Sequence, residues 1–192
     1  MSKINNAFCP NKDCKDYGLR NRDNITFRGK YGKNKKRDLL YCRTCGKRFA
    51  STRATAFFGL HLSDDKIEQI IHHAAEGVGV RATARLLNIN KDTVNRVVLR
   101  AGEHCELMLS NLNWRMWDAH LTRKSLMFAK SFRWLKAKFA ICVGFYNFIR
   151  PHETLSRGAD RIFRPRTPAM AAGVTDHQWT IKALLSYKAC VN

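Results

Sequence analysis

The chain has 192 residues, and its 35 lysine and arginine residues outnumber its 15 aspartate and glutamate residues, which gives a formal net charge of +20. A hydrophobic fraction of 45% excludes a disordered chain. The longest apolar run, Phe139–Phe148, is far shorter than the roughly 20 residues of a membrane span, and the polar first thirty residues predict no secretory signal. We therefore expect a cytoplasmic protein without a membrane partner. The charge favours nucleic acid as its partner over a merely basic surface.

The charge and the cysteines are unevenly distributed. Residues 1–60 hold 15 basic and 4 acidic residues (net +11), residues 61–105 hold six of each, and residues 106–192 hold 14 and 5 (net +9). Two basic ends around a neutral middle predict three modules, at 1–58, 60–105 and 106–192. A disulfide framework is not expected in a cytoplasmic protein. Three isolated cysteines, Cys105, Cys142 and Cys190, are interpreted as small buried hydrophobic residues.

The other four cysteines form two pairs with metal-ligand spacing. Four residues separate the first pair, 27 separate the pairs, and two separate the second pair. The predicted zinc ligands are Cys9, Cys14, Cys42 and Cys45. Four thiolates leave no open coordination position, so the Zn²⁺ would be structural, and no catalytic divalent metal is expected. Four free thiols are the alternative.

The residues between the two pairs favour a β-hairpin. Ile25, Phe27 and Tyr31 fall at strand spacing, residues 32–35 are turn-like, and a second strand would carry Leu39 and Tyr41 on one face. A hairpin held by two cysteine pairs is a zinc ribbon, and a module with so small a core needs such a metal.

The basic residues of this module suit DNA phosphates, although zinc ribbons also bind proteins. The candidate DNA contacts are Lys35, Lys36, Arg37, Lys47 and Arg48.

Three helices are predicted in residues 60–105. Ser63 is a good N-cap for the first, a short second helix spans 81–87 and breaks at 88–89, and Asn90 caps the third. Their apolar stripes are predicted at Ile67, Ile70, Ile71 and Ala74 in the first helix, and at Val94, Val97, Val98 and Ala101 in the third. Two short helices joined by a tight turn indicate a helix-turn-helix. An ordinary three-helix bundle is the alternative.

The outward face of the third helix could contact bases and phosphates in a DNA major groove. The candidate DNA-binding residues on it are Lys91, Thr93, Asn95, Arg96 and Arg100.

Several motifs resemble bacterial and archaeal insertion-sequence transposases. The amino-terminal motifs are CPNKDC at 9–14, YCRTCGKRF at 41–49, RATAFFGL at 53–60 and RATARLL at 81–87. The motifs LTRKSLMFAK at 121–130, YNFIRPH at 146–152 and TPAMAAGVTDH at 167–177 resemble the end of the family's DDE-type integrase domain. The resemblance covers nearly the whole chain in family order. It implies a prokaryotic, nucleoid-associated protein whose partner is double-stranded DNA at element ends.

The family's catalytic core has no counterpart in this chain. That ribonuclease-H-like core holds divalent metal on two aspartates and one glutamate and needs on the order of 100 residues. Here the helix-turn-helix is expected to end near Gly102, and tail-like sequence begins by about Asn111, so we expect an internal deletion and no catalytic residues. Asp118 and Glu153 have the family's spacing, but Glu153 follows the 146–152 motif, which in the family lies beyond the catalytic glutamate.

The segment 106–192 is predicted to be a helical remnant of the catalytic domain, which makes the fold mainly α with a small β zinc ribbon. Thr167 is an expected N-cap before Pro168, Gly173 an expected helix end, and Thr180 a further cap. A long helix before them would place Arg133, Lys136 and Lys138 on a polar side, either solvated or facing DNA. Its apolar face needs a partner, through self-association, association with full-length transposase, docking on the helix-turn-helix, or aggregation.

The expected function is that of a transposase-family DNA-binding protein without catalysis of its own. The alternatives are a zinc-ribbon transcriptional regulator and an active transposase whose carboxylates are supplied in trans.

Overall fold

The computed structural model describes residues 7–32, 37–111, 131–157 and 162–188. The chain divides into two compact units, one formed by Met1–Phe58 with Lys188–Asn192 and the other by Gly59–Tyr187. The architecture is mainly helical with one small antiparallel sheet, which confirms the coarse fold class that the sequence predicts. No helix in the described part of the chain combines the length and apolar character needed to cross a bilayer.

The first unit contains a three-stranded antiparallel sheet. Its strands, in the order β1-β2-β3, are β1 (Ile25–Tyr31), β2 (Arg37–Cys42) and β3 (Arg48–Ala50). The β1–β2 register steps from Phe27 opposite Leu40 to Gly29 opposite Leu39, so Arg28 is an extra residue in a β-bulge. Gly29 has φ +128°, a conformation that residues with a Cβ rarely adopt.

The core of this unit lies on the cysteine side of the sheet. Ile25 and Leu40 are buried there with Ala7 and the cysteines, and Phe49 packs against them. Leu39 and Tyr41 do share a face, as predicted, but it is the opposite face, and both are half-buried. Leu40, which the strand pattern did not single out, is therefore the core residue of β2.

The second unit contains seven α-helices among its described residues. They are α1 (Asp64–Ala75), α2 (Val80–Leu87), α3 (Lys91–Asn111), α4 (Phe132–Gly144), α5 (Glu153–Ser156), α6 (Pro168–Ala171) and α7 (Ile181–Ser186). A π-helical turn, Phe145–Ile149, extends α4. The predicted apolar stripes of α1 and α3 are all buried.

The predicted N-caps of three helices are confirmed by their hydrogen bonds. The Asn90 side chain accepts from the amide of Asp92 (2.7 Å) at the start of α3. Thr167 caps α6 with Pro168 at its first position, and Thr180 caps α7. Ser63 occupies the N-cap of α1, but its side chain makes no capping hydrogen bond.

Glycine and asparagine end the first two helices of this unit. Gly77 has φ +88° after α1, where the amide of Val78 bonds the carbonyl of His73 (2.9 Å), the Schellman arrangement. Asn88 takes the left-handed conformation at the end of α2. The predicted break after α2 at residues 88–89 is therefore present.

The predicted end of α3 near Gly102 is wrong, because the helix continues to Asn111. A Cβ placed on Gly102 would lie 2.4 Å from the Cα and Cβ of Ala137 in α4. Gly102 is thus the point of closest approach between two helices rather than a helix breaker. Since α3 passes through residue 105, the helix is continuous across the predicted boundary between the second and third modules, and both belong to the second unit.

The carboxy-terminal segment packs onto the earlier helices of the same unit. Helix α4 packs against α1 and α3, with Ile141 fully buried. Phe148 is fully buried beside Trp179, with ring centroids 4.8 Å apart, and Leu184 of α7 is fully buried as well. The apolar face of α4 therefore docks on α1 and α3, which is one of the arrangements expected for it. Self-association stays a prediction.

The predicted polar side of α4 is only partly solvent-facing. Arg133 pairs with Glu103 (2.6 Å) and Lys136 with Glu106 (2.5 Å). Lys138 does not lie on a solvated face. It is buried, 1% exposed, with its Nζ 5.2 Å from the Trp134 ring centroid. The motif at 121–130 lies outside the described residues.

Candidate metal centre and basic surfaces

The two cysteine pairs converge on one point in the first unit. The Sγ atoms of Cys9, Cys14, Cys42 and Cys45 all lie within 4.8 Å of one another. Across the pairs, the Sγ separations are 3.6 Å for Cys9 and Cys45 and 3.9 Å for Cys14 and Cys42. A tetrahedral zinc with Zn–S bonds of about 2.3 Å places its sulfurs about 3.8 Å apart. The donor set and its spacing therefore fit a structural Zn²⁺, which four sulfur ligands would bind without an open position.

Backbone hydrogen bonds shape both cysteine-containing turns. In the first, the amide of Cys14 bonds the carbonyl of Asn11 (3.0 Å). In the second, the amide of Gly46 bonds the carbonyl of Cys42 (2.9 Å), and the amide of Cys42 bonds the carbonyl of Lys47 (3.0 Å). Gly46 has φ +69°, so a glycine allows the chain to turn directly after Cys45.

Backbone amides also bond three of the four sulfurs, each from the residue two positions later. The donors are Asn11 to Cys9, Asp16 to Cys14 and Lys47 to Cys45. A hydrogen bond to a thiolate stabilises the charged form and lowers the pKa of the thiol. This repeated contact prepares the sulfurs for the charged state in which they bind metal.

Burial and hydrogen bonding act in opposite directions on these thiols. Burial raises the pKa of Cys9 and of Cys14, because a thiolate without a cation is poorly solvated there. The Lys47 amide lowers the pKa of Cys45 to about 7. Since zinc binds thiolates, metal uptake must release the remaining thiol protons.

Asn24 adds a side-chain contact to the metal site that the sequence pattern does not indicate. Its Nδ2 donates to the Asp16 carboxylate (2.8 Å) and approaches the Sγ of Cys42 (3.8 Å). Asn24 lies directly before β1 and 18 residues before Cys42, so only the folded hairpin brings the two together. The cysteine spacing contains no signal for it.

The predicted DNA contacts of the first unit differ in exposure. Lys47 and Arg48 are exposed, whereas Arg37 is half-buried at the start of β2. The Lys47 ammonium donates to the side chain of Asn11 (2.9 Å) and lies 3.7 Å from Asp13. Lys35 and Lys36 lie outside the described residues.

The predicted DNA contacts on α3 all lie in its first half, outside the buried stripe. Lys91, Arg96 and Arg100 are exposed, and Thr93 and Asn95 are half-buried. The four buried residues of the stripe hold one side of the helix against the rest of the unit. The remaining surface presents three cations and the exposed Asp92 within three turns.

The cysteine cluster is the one group of three or more potential metal ligands found within the described ranges. Glu153, half of the acidic pair with family-like spacing, begins α5 and pairs with Arg157 (2.6 Å). Asp118 lies outside the described residues.

Comparison with known proteins gives no match to a family model, to a curated protein or to a solved structure. The fold and the site define the chain as a four-cysteine unit with a small sheet and a helical unit.

Proposed function

We propose that the protein is a DNA-binding protein of the insertion-sequence transposase type, which holds double-stranded DNA through a zinc ribbon and a helix-turn-helix and cuts no strand itself. The observation that carries this proposal is the first half of α3, where Lys91, Arg96 and Arg100 are exposed around a fully buried apolar stripe, with the exposed Asp92 among them. An exposed basic face on a firmly packed helix suits entry into a major groove.

The connection between α2 and α3 supports a helix-turn-helix. Only residues 88–90 separate the two helices. Asn88 takes the left-handed conformation and Asn90 caps α3, so the turn is tight and fixed at both ends. In this arrangement α3 is the recognition helix, with Arg96 and Asn95 facing base edges and Lys91 and Arg100 facing phosphates.

The ribbon would contribute affinity without sequence specificity. Residues 1–60 carry a net charge of +11, and Lys47 and Arg48 are exposed beside the second cysteine pair. Cations that contact phosphates position a protein on DNA and make its binding sensitive to salt. Zinc would hold this surface in shape, since the unit has few apolar core residues of its own.

The biological role we propose follows from the sequence motifs. They resemble a transposase, but no segment resembles its catalytic core. The chain would occupy element ends in the cytoplasm at the nucleoid, competing or associating with full-length transposase. It would thereby act as a repressor of transposition.

A pair of single-charge variants tests the role of α3. The purified chain is titrated onto duplexes selected from a random library, with binding followed by fluorescence anisotropy. Arg96→Ala should weaken binding of the selected duplex about 5- to 150-fold, because a base contact is worth about 1–3 kcal/mol. Lys66→Ala removes one exposed cation from α1 and should change affinity less than twofold. Equal losses in both variants would refute a role for α3 in recognition.

Metal analysis and a strand-transfer assay test the other two parts. We expect one zinc per chain, loss of that zinc in Cys45→Ser, and unfolding of the ribbon on chelation. With magnesium or manganese, the chain should give no cleaved or joined DNA. Product formation would overturn the proposed inactivity, and retention of full DNA affinity after chelation would overturn the role of the ribbon.

A further inference from the structure

The ribbon unit carries an open groove beside its first cysteine pair. The groove has a cavity volume of about 510 Å³, within the roughly 300–1,000 Å³ range of small-molecule sites. All three residues of β3 line it, together with Tyr31 of β1 and Leu39 of β2. Three cations and three aromatic residues line it, namely Lys47, Arg48, Arg53, Tyr31, Phe49 and Phe58.

The charged groups along the groove are cations. Lys47, Arg48 and Arg53 are exposed, and no acidic residue of the described part of the chain lines the groove. Asp13 lies 3.7 Å from Lys47 and compensates that charge in part. Arg48 and Arg53 are thus the cations best placed for the phosphates of a ligand.

The aromatic residues distinguish this groove from an ordinary phosphate-binding surface. Tyr31, Phe49 and Phe58 are half-buried, and the Arg53 guanidinium lies 4.6 Å from the centroid of the Phe58 ring. A guanidinium over a ring gives a flat, partly apolar platform. A duplex hides the faces of its bases and offers phosphates alone to such a surface. An unpaired base, in contrast, can stack on aromatic rings while its backbone meets the cations.

We propose that this groove binds an unpaired nucleotide within a single-stranded DNA segment, with Arg48 and Arg53 on the phosphates and the aromatic residues against the base. The inference rests on the proposed DNA-binding function and adds to it a second kind of ligand. The helix-turn-helix and the basic surface of the ribbon would hold duplex, whereas the groove of the ribbon would hold a strand that has lost its partner.

The test uses the full zinc-loaded chain and two labelled probes, oligo(dT) of about 15 nucleotides and a blunt duplex, at several salt concentrations. Tyr31→Leu and Phe58→Leu keep apolar volume but remove the ring. Each should weaken oligo(dT) binding about tenfold without changing its salt dependence, and should leave duplex binding within twofold. Phe27→Leu is the matched control, since Phe27 is 48% exposed in the same sheet and does not line the groove.

Charge variants provide the complementary measurement. Arg53→Ala should reduce the slope of log affinity against log salt for oligo(dT) by about 0.7, the value for one phosphate contact on a single strand. Arg43→Ala, an exposed cation that does not line the groove, should leave the slope unchanged. Zinc content is measured for every variant to identify any variant whose ribbon has unfolded. The remaining variants then test the groove assignment.

The outcomes separate this inference from the function on which it rests. The groove assignment is wrong if both leucine variants bind oligo(dT) like the wild type, or if Phe27→Leu loses as much affinity as they do. Duplex binding without any oligo(dT) binding would remove the groove proposal and leave the proposed function intact. Binding of neither probe would remove both.

Discussion

Replacing Gly102 by alanine separates helix propensity from packing, because the two predict opposite signs. Alanine is better than glycine in a helix by about 1 kcal/mol, so propensity alone predicts a more stable protein. The structure predicts the reverse, since the new Cβ would lie 2.4 Å from the Cα of Ala137 and 2.5 Å from its carbonyl oxygen. Carbon atoms in contact are about 3.5–4.0 Å apart, so α4 would have to retreat by about 1 Å.

The size of the effect follows from that retreat. Overpacking of this kind costs about 1–3 kcal/mol, and a gap of up to 1 Å removes a quarter to a half of the dispersion energy of the contacts it opens. Subtracting the gain of about 1 kcal/mol in helix propensity from this cost, we expect Gly102→Ala to lower the free energy of unfolding by up to about 2 kcal/mol. The melting temperature should then fall by up to about 8 °C.

Urea and thermal unfolding followed by far-ultraviolet circular dichroism would measure this change. Gly79→Ala is the matched control, because Gly79 has φ −73° and a methyl group added there would meet no atom within 4 Å. That variant should change stability by less than about 1 kcal/mol. A Gly102→Ala protein more stable than the wild type would refute the close crossing of α3 and α4.

Three further predictions concern groups that the structure buries or places beside the metal site. Burial lowers the pKa of His104 to about 4, and its neutral ring can donate from Nε2 to the carbonyl of Leu184 (3.3 Å). Its stabilising contribution is therefore complete above pH 6.5 and lost as the pH falls through 4. In His104→Gln, the decrease in the free energy of unfolding over that pH range should be smaller by up to about 3 kcal/mol. An unchanged pH profile of stability would contradict this. Burial also lowers the pKa of Lys138, because it disfavours the charged ammonium. Lys138→Met should therefore raise the free energy of unfolding at neutral pH by about 1 kcal/mol in chemical denaturation. A lower free energy of unfolding in this variant would contradict the assigned cost of burial. Asn24→Ala removes the amide beside Cys42. The variant should bind zinc about tenfold more weakly, measured in competition with a chromophoric chelator. An unchanged zinc affinity would show that this amide does not support the metal site.

Features that depend on a few neighbouring residues were predictable from the sequence. The caps at Asn90, Thr167 and Thr180 are bonds between a side chain and an amide two or three residues later, so the local sequence contains both partners. The convergence of the four cysteines was predictable for a different reason. Two closely spaced pairs of thiols have the spacing of zinc ligands, and the folded chain brings their sulfurs together.

Features that depend on distant residues were not predictable. Gly102 looked like a helix end because its contact, Ala137, is 35 positions away along the chain. The helical period placed Lys138 on the polar side of α4, but the structure buries it. The period shows which residues share a face, but it does not show how much of the helix surface the neighbouring helices cover. Whether α3 enters a DNA groove remains a prediction for the same reason, since the bound partner is not part of the chain.

The amides that bond the cysteine sulfurs have an evolutionary consequence. They belong to the backbone of residues 11, 16 and 47, so any residue except proline at those positions supplies the same donor. The side chains of residues 11 and 47 can therefore change charge or size while the sulfurs keep these hydrogen bonds, whereas Asp16 also holds Asn24 beside Cys42. The surface around Lys47 can thus vary in charge without loss of the backbone donors that contact the cysteines.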